Sequence, residues 1–309
     1  MASVEFPAPA APVGHATPAW PAARPRGQVG RFCLDWLPAV PLLALALAML
    51  VAPTVMVVGQ SFLDDTGRPT LAHWAETLQR RGDQRAIITS LGLGIVSATI
   101  ALLVGTPLAW WLSRTSTGKR ASWLSFLNVG ANFGGIGLAF GFTASLGAYG
   151  MVTLLFQQMG LTMTPPQPAT FLGLTIGYAY TNIPLFVLLT LPAMGMVDRE
   201  SREAAGTLGA SSATFWRYIG LPLLAPFLAA GWLLIFTWSI GIYGLAYALA
   251  GTAATGQLRL MTLQIGVALT SAVSTQERAA VMATLLLFIA TIALLAYRAI
   301  VRRSMRWLV

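Results

Sequence analysis

Six apolar runs, each long enough to cross a bilayer, constrain this chain more than any other feature. They are Trp36 to Gln60, Ala86 to Ser113, Ser122 to Leu146, Thr170 to Val197, Leu223 to Leu249 and Ala279 to Ile300. A helix needs about 20 apolar residues to traverse the hydrocarbon core, and a helix satisfies its own backbone polar groups there. With 56% hydrophobic and only 9% charged residues, the chain lacks the polar side chains to cover a soluble globule. The expected fold class is an all-α integral membrane protein with six transmembrane helices. The first run is too long for the core of a cleavable signal peptide and no small-residue cleavage site follows it, so it is expected to remain as an anchor.

Basic residues orient the spans. Arg24, Arg26 and Arg31 precede the first span, Arg114, Lys119 and Arg120 follow the second, and Arg199, Arg202 and Arg217 follow the fourth. Arg298, Arg302, Arg303 and Arg306 close the chain. These segments are expected in the cytoplasm, which puts both termini inside. The opposite loops carry Arg68, Arg80, Arg81, Arg85, Arg259 and Arg278, the first four among Asp64, Asp65, Glu76 and Asp83. The net charge of +9 is thus membrane-flanking. It forms no basic stripe with interleaved aromatics, and no nucleic-acid partner is expected.

Residues 1–35 are expected to be a disordered cytoplasmic tail, since Met1 to Gln28 are rich in Pro and Ala without periodicity. Residues 36–309 form the membrane domain. Parity of the basic loops makes "GAYGMVTLLFQQMG" an outer interfacial helix, and Leu258 to Ala272 is too short to cross and reads as an outer interfacial or re-entrant piece. Gly130, Gly134, Gly137 and Gly141, with Gly173 and Gly177, have spacings that let helices approach closely. Pro107, Pro184 and Pro192 are expected to bend their helices.

Several chemistries are missing. "STGKR" lacks the first glycine of a phosphate loop, because Ser113 stands where it is needed, and "GANFGGIG" lies inside an apolar span with no strand before it. The only histidines, His15 and His73, and the lone Cys33 form no metal cluster or disulfide. No enzymatic activity, metal or cofactor is expected of the chain itself. All 19 basic and 10 acidic residues fall in loops, tails or span ends. Ion-coupled carriers need ionisable groups at mid-depth, so a secondary transporter or channel independent of ATP is the alternative reading, and a membrane scaffold without transport a third.

Between the fourth and fifth spans lies a charged hairpin. Asp198 to Leu208 reads as a short helix with acidic residues in its early part, on which Ala204, Ala205 and Leu208 form a small apolar patch. Gly209 permits a turn, Ser211 or Ser212 can cap the next helix, and Pro222 marks the re-entry into the membrane. Glu203-Ala204-Ala205, three residues, Gly209, nine residues and Ile219-Gly220-Leu221-Pro222 reproduce the EAA pattern, EAA-x3-G-x9-I-x-LP. In this the chain resembles the permease subunits of type I binding-protein-dependent ABC importers. "GLGIVSATIALLVGTPLAWWLSR", and "YALAG" followed by "LMTLQIG", are similar to the subgroup importing polyamines, opines, phosphonates and related solutes.

The resemblance implies that the hairpin docks on a separate ATPase subunit dimer, which binds the ATP. Glu203, Ala204, Ala205 and Gly209 would form the docking element, and Ile219, Leu221 and Pro222 its junction to the fifth span. It implies a second permease, identical or related, and a periplasmic solute-binding protein, for which the loop Ser61 to Arg85 is a natural contact. The system would lie in a bacterial cytoplasmic (inner) membrane, with polyamine the first solute by resemblance. Pathway candidates are Asn128, Asn132, Tyr178, Tyr180, Asn182, Trp238 and Tyr243, each equally able to serve as a helix–helix hydrogen-bonding or packing group.

Overall fold

The computed structural model describes residues 39–64, 67–160, 166–197, 199–250, 258–270 and 276–305. The tail with His15 and Cys33, residues 36–38, Asp198, Gly251 and Arg306 lie outside them, so the expectations placed there carry no structural account. The helices are α1 (Ala39–Ser61), α2 (Ala72–Gln79), α3 (Arg81–Ser113), α4 (Thr117–Asn132), α5 (Gly135–Leu146), α6 (Met151–Gln158) and α7 (Phe171–Met194). They continue with α8 (Arg199–Thr207), α9 (Ser212–Phe215), α10 (Leu221–Gly241), α11 (Gly244–Ala250), α12 (Met261–Thr270) and α13 (Gln276–Met305). Among the described residues six helical segments are long and apolar enough to cross a membrane.

The chain divides into two compact units, Met1–Thr54 and Val55–Val309. The described part of the first is most of α1, apolar on every side but for Thr54, whose hydroxyl folds back onto the Leu50 carbonyl at 2.7 Å. A helix without a polar face suits lipid or another apolar helix.

The second unit is a helix bundle whose buried residues fall into layers. At one end Ala109 and Leu112 of α3, Leu127 of α4, Val187, Leu191 and Met194 of α7, and Leu224 of α10 pack with Ala205 and Phe215 of the hairpin. A middle layer joins Ala98, Ala101, Phe186, Ile235, Phe236, Ile240 and Ala293. At the far end Leu93, Leu138, Ala139, Leu174, Tyr178, Leu245, Leu249, Leu260 and Leu263 meet. The order of layers along each helix gives its direction: α3 and α7 run toward the hairpin end, and α4–α5 and α10 run away from it. The 114–120 loop and the hairpin therefore share one end, as the parity of the basic loops required.

The third crossing departs from the expected continuous Ser122 to Leu146. Length and apolarity alone would select Gly135–Gln158, but Leu127 belongs to the hairpin-end layer and Leu138 to the far one, so the crossing is α4 followed by α5. It is interrupted at Phe133 and Gly134, and Gly135 takes φ 66°, a conformation that only glycine adopts cheaply. α6 follows as a separate short helix, Met151–Gln158. The fifth crossing also differs from Leu223 to Leu249. It runs from Ser212 through a π-helical turn, Trp216–Gly220, into α10, stops at Gly241, and resumes as α11. The second crossing begins at Arg81 and the sixth spans Gln276–Met305, each longer than its apolar stretch because charged turns extend past it. Pro107, Pro184, Pro192 and Pro226 lie inside uninterrupted helices, and the breaks fall elsewhere, at Phe133–Gly134 and Ile242–Tyr243.

Candidate functional site

Two regions hold the residues that the sequence singled out. The first is the hairpin. α8 stops in a Schellman motif: the Gly209 N–H donates to the Gly206 carbonyl at 2.9 Å and the Ala210 N–H to the Ala205 carbonyl at 3.0 Å, with Gly209 at φ 80°. That left-handed position is why a glycine stands there. Ser211 then caps α9, its Oγ accepting from the Thr214 N–H at 3.1 Å. Arg202 donates to Ser212 Oγ at 3.1 Å, tying the arms together.

The expected apolar patch is split. Ala205 is buried against Phe215 in the hairpin-end layer, whereas Ala204 is exposed and Leu208 is 87% exposed. Ala204 and Leu208 lie one helical turn apart and share the outward side, with Glu203 exposed beside them, whereas Ala205, about 100° round the helix, is turned inward. Glu203, Ala204 and Leu208 thus present an outward surface that Ala205 and Gly209 hold in place. Ile219 and Leu221 are 45% and 53% exposed, and Pro222 sits in the first turn of α10.

The π turn is packed on aromatic rings. A Cβ on Gly220 would lie 2.6 Å from Trp216 Cε3, so the backbone rests against the indole. Trp216 meets Trp110 of α3 edge to face at 4.7 Å, and the Arg114 guanidinium lies 3.9 Å from the Trp110 ring centroid. The hairpin is therefore fastened to the end of α3 as well as being continuous with α10.

The second region is mid-bundle. Asn182 and Tyr178 are buried, and both make helix–helix hydrogen bonds. Asn182 Nδ2 donates to Ser239 Oγ at 2.8 Å, Ser97 Oγ lies 3.2 Å from Ser239 Oγ, and Ser239 donates to the Ile235 carbonyl at 2.7 Å. This joins α3, α7 and α10 at one node, with Asn182 Oδ1 left without a protein partner. Tyr178 Oη and Thr262 Oγ1 each reach the Ile242 carbonyl at 3.4 Å, satisfying backbone that the break after α10 would otherwise orphan. Ser97 and Ser239 were missed in the sequence because a serine in an apolar run carries no visible partner.

The other five candidates are exposed: Asn128 and Asn132 one turn apart on α4, Tyr180 on α7, Trp238 on α10 and Tyr243 at the break. Asn132 Nδ2 donates to the Asn128 carbonyl at 2.9 Å, Tyr180 meets Phe142 edge to face at 6.2 Å, and Tyr243 stacks on Tyr247 at 5.3 Å. The two helix interruptions touch, since a Cβ on Gly244 would lie 3.9 Å from the Gly135 Cα. Paired discontinuous helices of this kind expose backbone groups at depth where only a cavity or protein can accommodate them.

At the far end the loop after α1 contains an isolated bridge between Leu63 and Pro69. Asp83, wholly buried, forms a two-pronged ion pair with Arg278 of α13, including Arg278 Nε to Asp83 Oδ2 at 2.8 Å, and Arg278 also reaches Gln264 Oε1 at 3.4 Å. Glu76 is held below the usual carboxylate range by its hydrogen bond to Arg80.

No protein-family model matches the chain. It is 27% identical over 169 residues to the molybdenum transport system permease protein ModB of Azotobacter vinelandii, covering 55% of this chain and 74% of that protein. It is 26% identical over 197 residues to the spermidine/putrescine transport system permease protein PotB of Escherichia coli (strain K12), covering 62% and 72%. A shorter stretch of 85 residues, 28% of this chain and 31% of the relative, is 40% identical to the sulfate transport system permease protein CysT of Salmonella typhimurium. Among solved structures, a bacterial ABC transporter involved in the import of the acidic polysaccharide alginate shares the fold with a TM-score of 0.66 at 17% identity, over 90% of this chain and 97% of that one. The same holds for the bacterial alginate ABC transporter in complex with an alginate pentasaccharide-bound periplasmic protein, at a TM-score of 0.64 and 16% identity over 92% and 98%.

Proposed function

We propose that the chain is a permease subunit of an ABC importer, a reading supported by its relatives, and that it forms half of a solute pathway opened by an ATPase docked on the α8–α9 hairpin. The observation that carries this is the outward surface of Glu203, Ala204 and Leu208 on a hairpin continuous with α10 and clamped to α3. A push on that surface moves two transmembrane helices together. ATP binding closes the ATPase dimer, the pathway opens toward a docked periplasmic binding protein, and hydrolysis returns it inward. Coupling requires that the two states bind ATP and the loaded binding protein unequally. ATP itself is bound by the ATPase, and this chain needs no cofactor.

A second permease, identical or related, completes the pathway. The protein lies in a bacterial inner membrane with both termini cytoplasmic, a reading supported by the basic residues gathered at the hairpin end. The buried Asp83 and the partly buried Arg278 sit in the first turns of α3 and α13, so nothing described at mid-depth offers an ion-coupling site, which disfavours an ATP-independent carrier.

For the solute we favour a polyamine. A polyamine permease is among the relatives, and the exposed Tyr180, Trp238, Tyr243 and Tyr247 supply aromatic faces that attract ammonium groups beside no fixed charge. Molybdate or sulfate, the solutes named for other relatives, would be better served by basic groups at that depth. The test is co-purification of an ATPase subunit with the chain and with its Gly209→Trp form at equal membrane levels, followed by uptake of labelled putrescine against excess sulfate and molybdate. Loss of the ATPase with Gly209→Trp supports the docking surface; an ATPase held equally by both, or held by neither, rejects it. Competition by the oxyanions replaces the polyamine assignment.

A further inference from the structure

We propose that the corner between α3 and α4 is a binding site for one anionic phospholipid of the leaflet on the hairpin side. Lys119, Trp123 and Phe126 follow one another at helical spacing on one face of α4. Trp123 and Phe126 meet edge to face at 5.9 Å, and Trp111 of α3 meets Trp123 at 5.4 Å. These rings are 47% (Trp111), 41% (Trp123) and 67% (Phe126) exposed, and Ser122, Trp123 and Phe126 line a shallow groove of about 240 Å³. Rings exposed one and two turns beyond a basic loop suit the headgroup boundary of a bilayer rather than water.

Charge selects the kind of lipid. Lys119 and Arg120 have no acidic partner among the described residues, and the sequence contains no Asp or Glu between Asp83 and Asp198. Arg114 is taken up by the Trp110 ring. Two unpaired cations at the mouth of an aromatic groove attract an anion from outside the chain, and a phosphodiester with an uncharged headgroup brings one together with an acyl tail for the groove. A zwitterionic headgroup carries its own cation and gains less.

The experiment uses the full chain, delipidated in mild detergent and mixed with equal amounts of phosphatidylglycerol and phosphatidylcholine, with retained lipid counted by native mass spectrometry. The chain is expected to keep one phosphatidylglycerol about thirtyfold over phosphatidylcholine, on the scale of two basic contacts. K119Q/R120Q is expected to lose that preference, and R302Q/R303Q, an equal charge change at the exposed end of α13, to keep it. Trp123→Ala is expected to weaken retention with the preference intact. Equal retention by K119Q/R120Q, or equal loss in both double variants, overturns the site. So does an ATPase or a second copy of the chain that binds native protein but not K119Q/R120Q while the lipid preference is unchanged, since either would make this corner a protein contact. None of these readouts requires the importer reading to be correct.

Discussion

Asn182 Nδ2 donates to Ser239 Oγ at 2.8 Å, joining α7 to α10 two residues before α10 ends. Ser97 adds α3 to the same oxygen, so the helix that leads from the hairpin is pinned to two neighbours just ahead of its break. Hydrogen bonds between membrane helices average about 0.6 kcal/mol in double-mutant cycles. The cycle of Asn182→Ala and Ser239→Ala, measured by detergent-induced unfolding, should give coupling of about that size or larger. Additive losses would mean that the pair does not hold the helices together.

Leu208 and Ala205 are three residues apart and should respond in opposite ways. Leu208→Asp alters a side chain that is 87% exposed, so unfolding should be nearly unchanged while ATPase retention falls. Ala205→Leu forces bulk against Phe215 in the hairpin-end layer and should cost about 1–3 kcal/mol. Thermal unfolding in detergent paired with co-purification separates the two, and a stability loss in Leu208→Asp would contradict the assigned faces.

Removing the Asp83 carboxylate strands Arg278 in a partly buried position. Asp83→Leu should destabilise by about 3 kcal/mol, and the double change with Arg278→Leu should recover much of it. A double variant no better than Asp83→Leu would show that the cost lies in packing.

Glycines divide by what surrounds them. A Cβ on Gly105 would lie 2.7 Å from Phe186 Cδ1, and one on Gly94 2.7 Å from Ile240 Cγ2, whereas Gly137 and Gly141 face nothing within 4 Å. Gly105→Ala should therefore cost about 1–3 kcal/mol. Gly141→Ala should leave the isolated chain unaffected. If it weakens assembly with a second permease, measured by cross-linking, that face lies in the interface.

The α2 helix should loosen in acid. Arg80 depresses the Glu76 pKa, so the stabilisation it gives is present above the ordinary carboxylate range and disappears as pH falls through the lowered value. Amide exchange in α2 should quicken in that acidic window, and added salt at neutral pH should have the same effect because the pair is exposed.

The spans and their parity were legible because a bilayer demands long apolar runs and places basic loops on one side. The hairpin was legible through Gly209 and Ser211, where backbone geometry leaves few residue choices. The interruptions at Phe133–Gly134 and Ile242–Tyr243 were not, since a helix that stops inside apolar sequence carries no polarity signal. Nor was the pairing of Asp83 with Arg278, 195 positions away, because charge counting assigns a side of the membrane and not a neighbour. The seven pathway candidates separated for the same reason: polarity marks a residue as unusual in a span without saying which face of the helix it occupies.

The π turn at Trp216–Gly220 gives the hairpin a phase. Such a turn holds one residue more than the α-helix it interrupts, and one residue is about 100° of helical rotation. Deleting a single residue between Phe215 and Leu221 would regularise the helix and swing Glu203, Ala204 and Leu208 around its axis, breaking the packing of Ala205, Phe215 and Trp216 at the hairpin end while the middle and far layers stay in register. The direction in which the hairpin's outward surface points is thus written as a count of residues, which no substitution on that surface can alter.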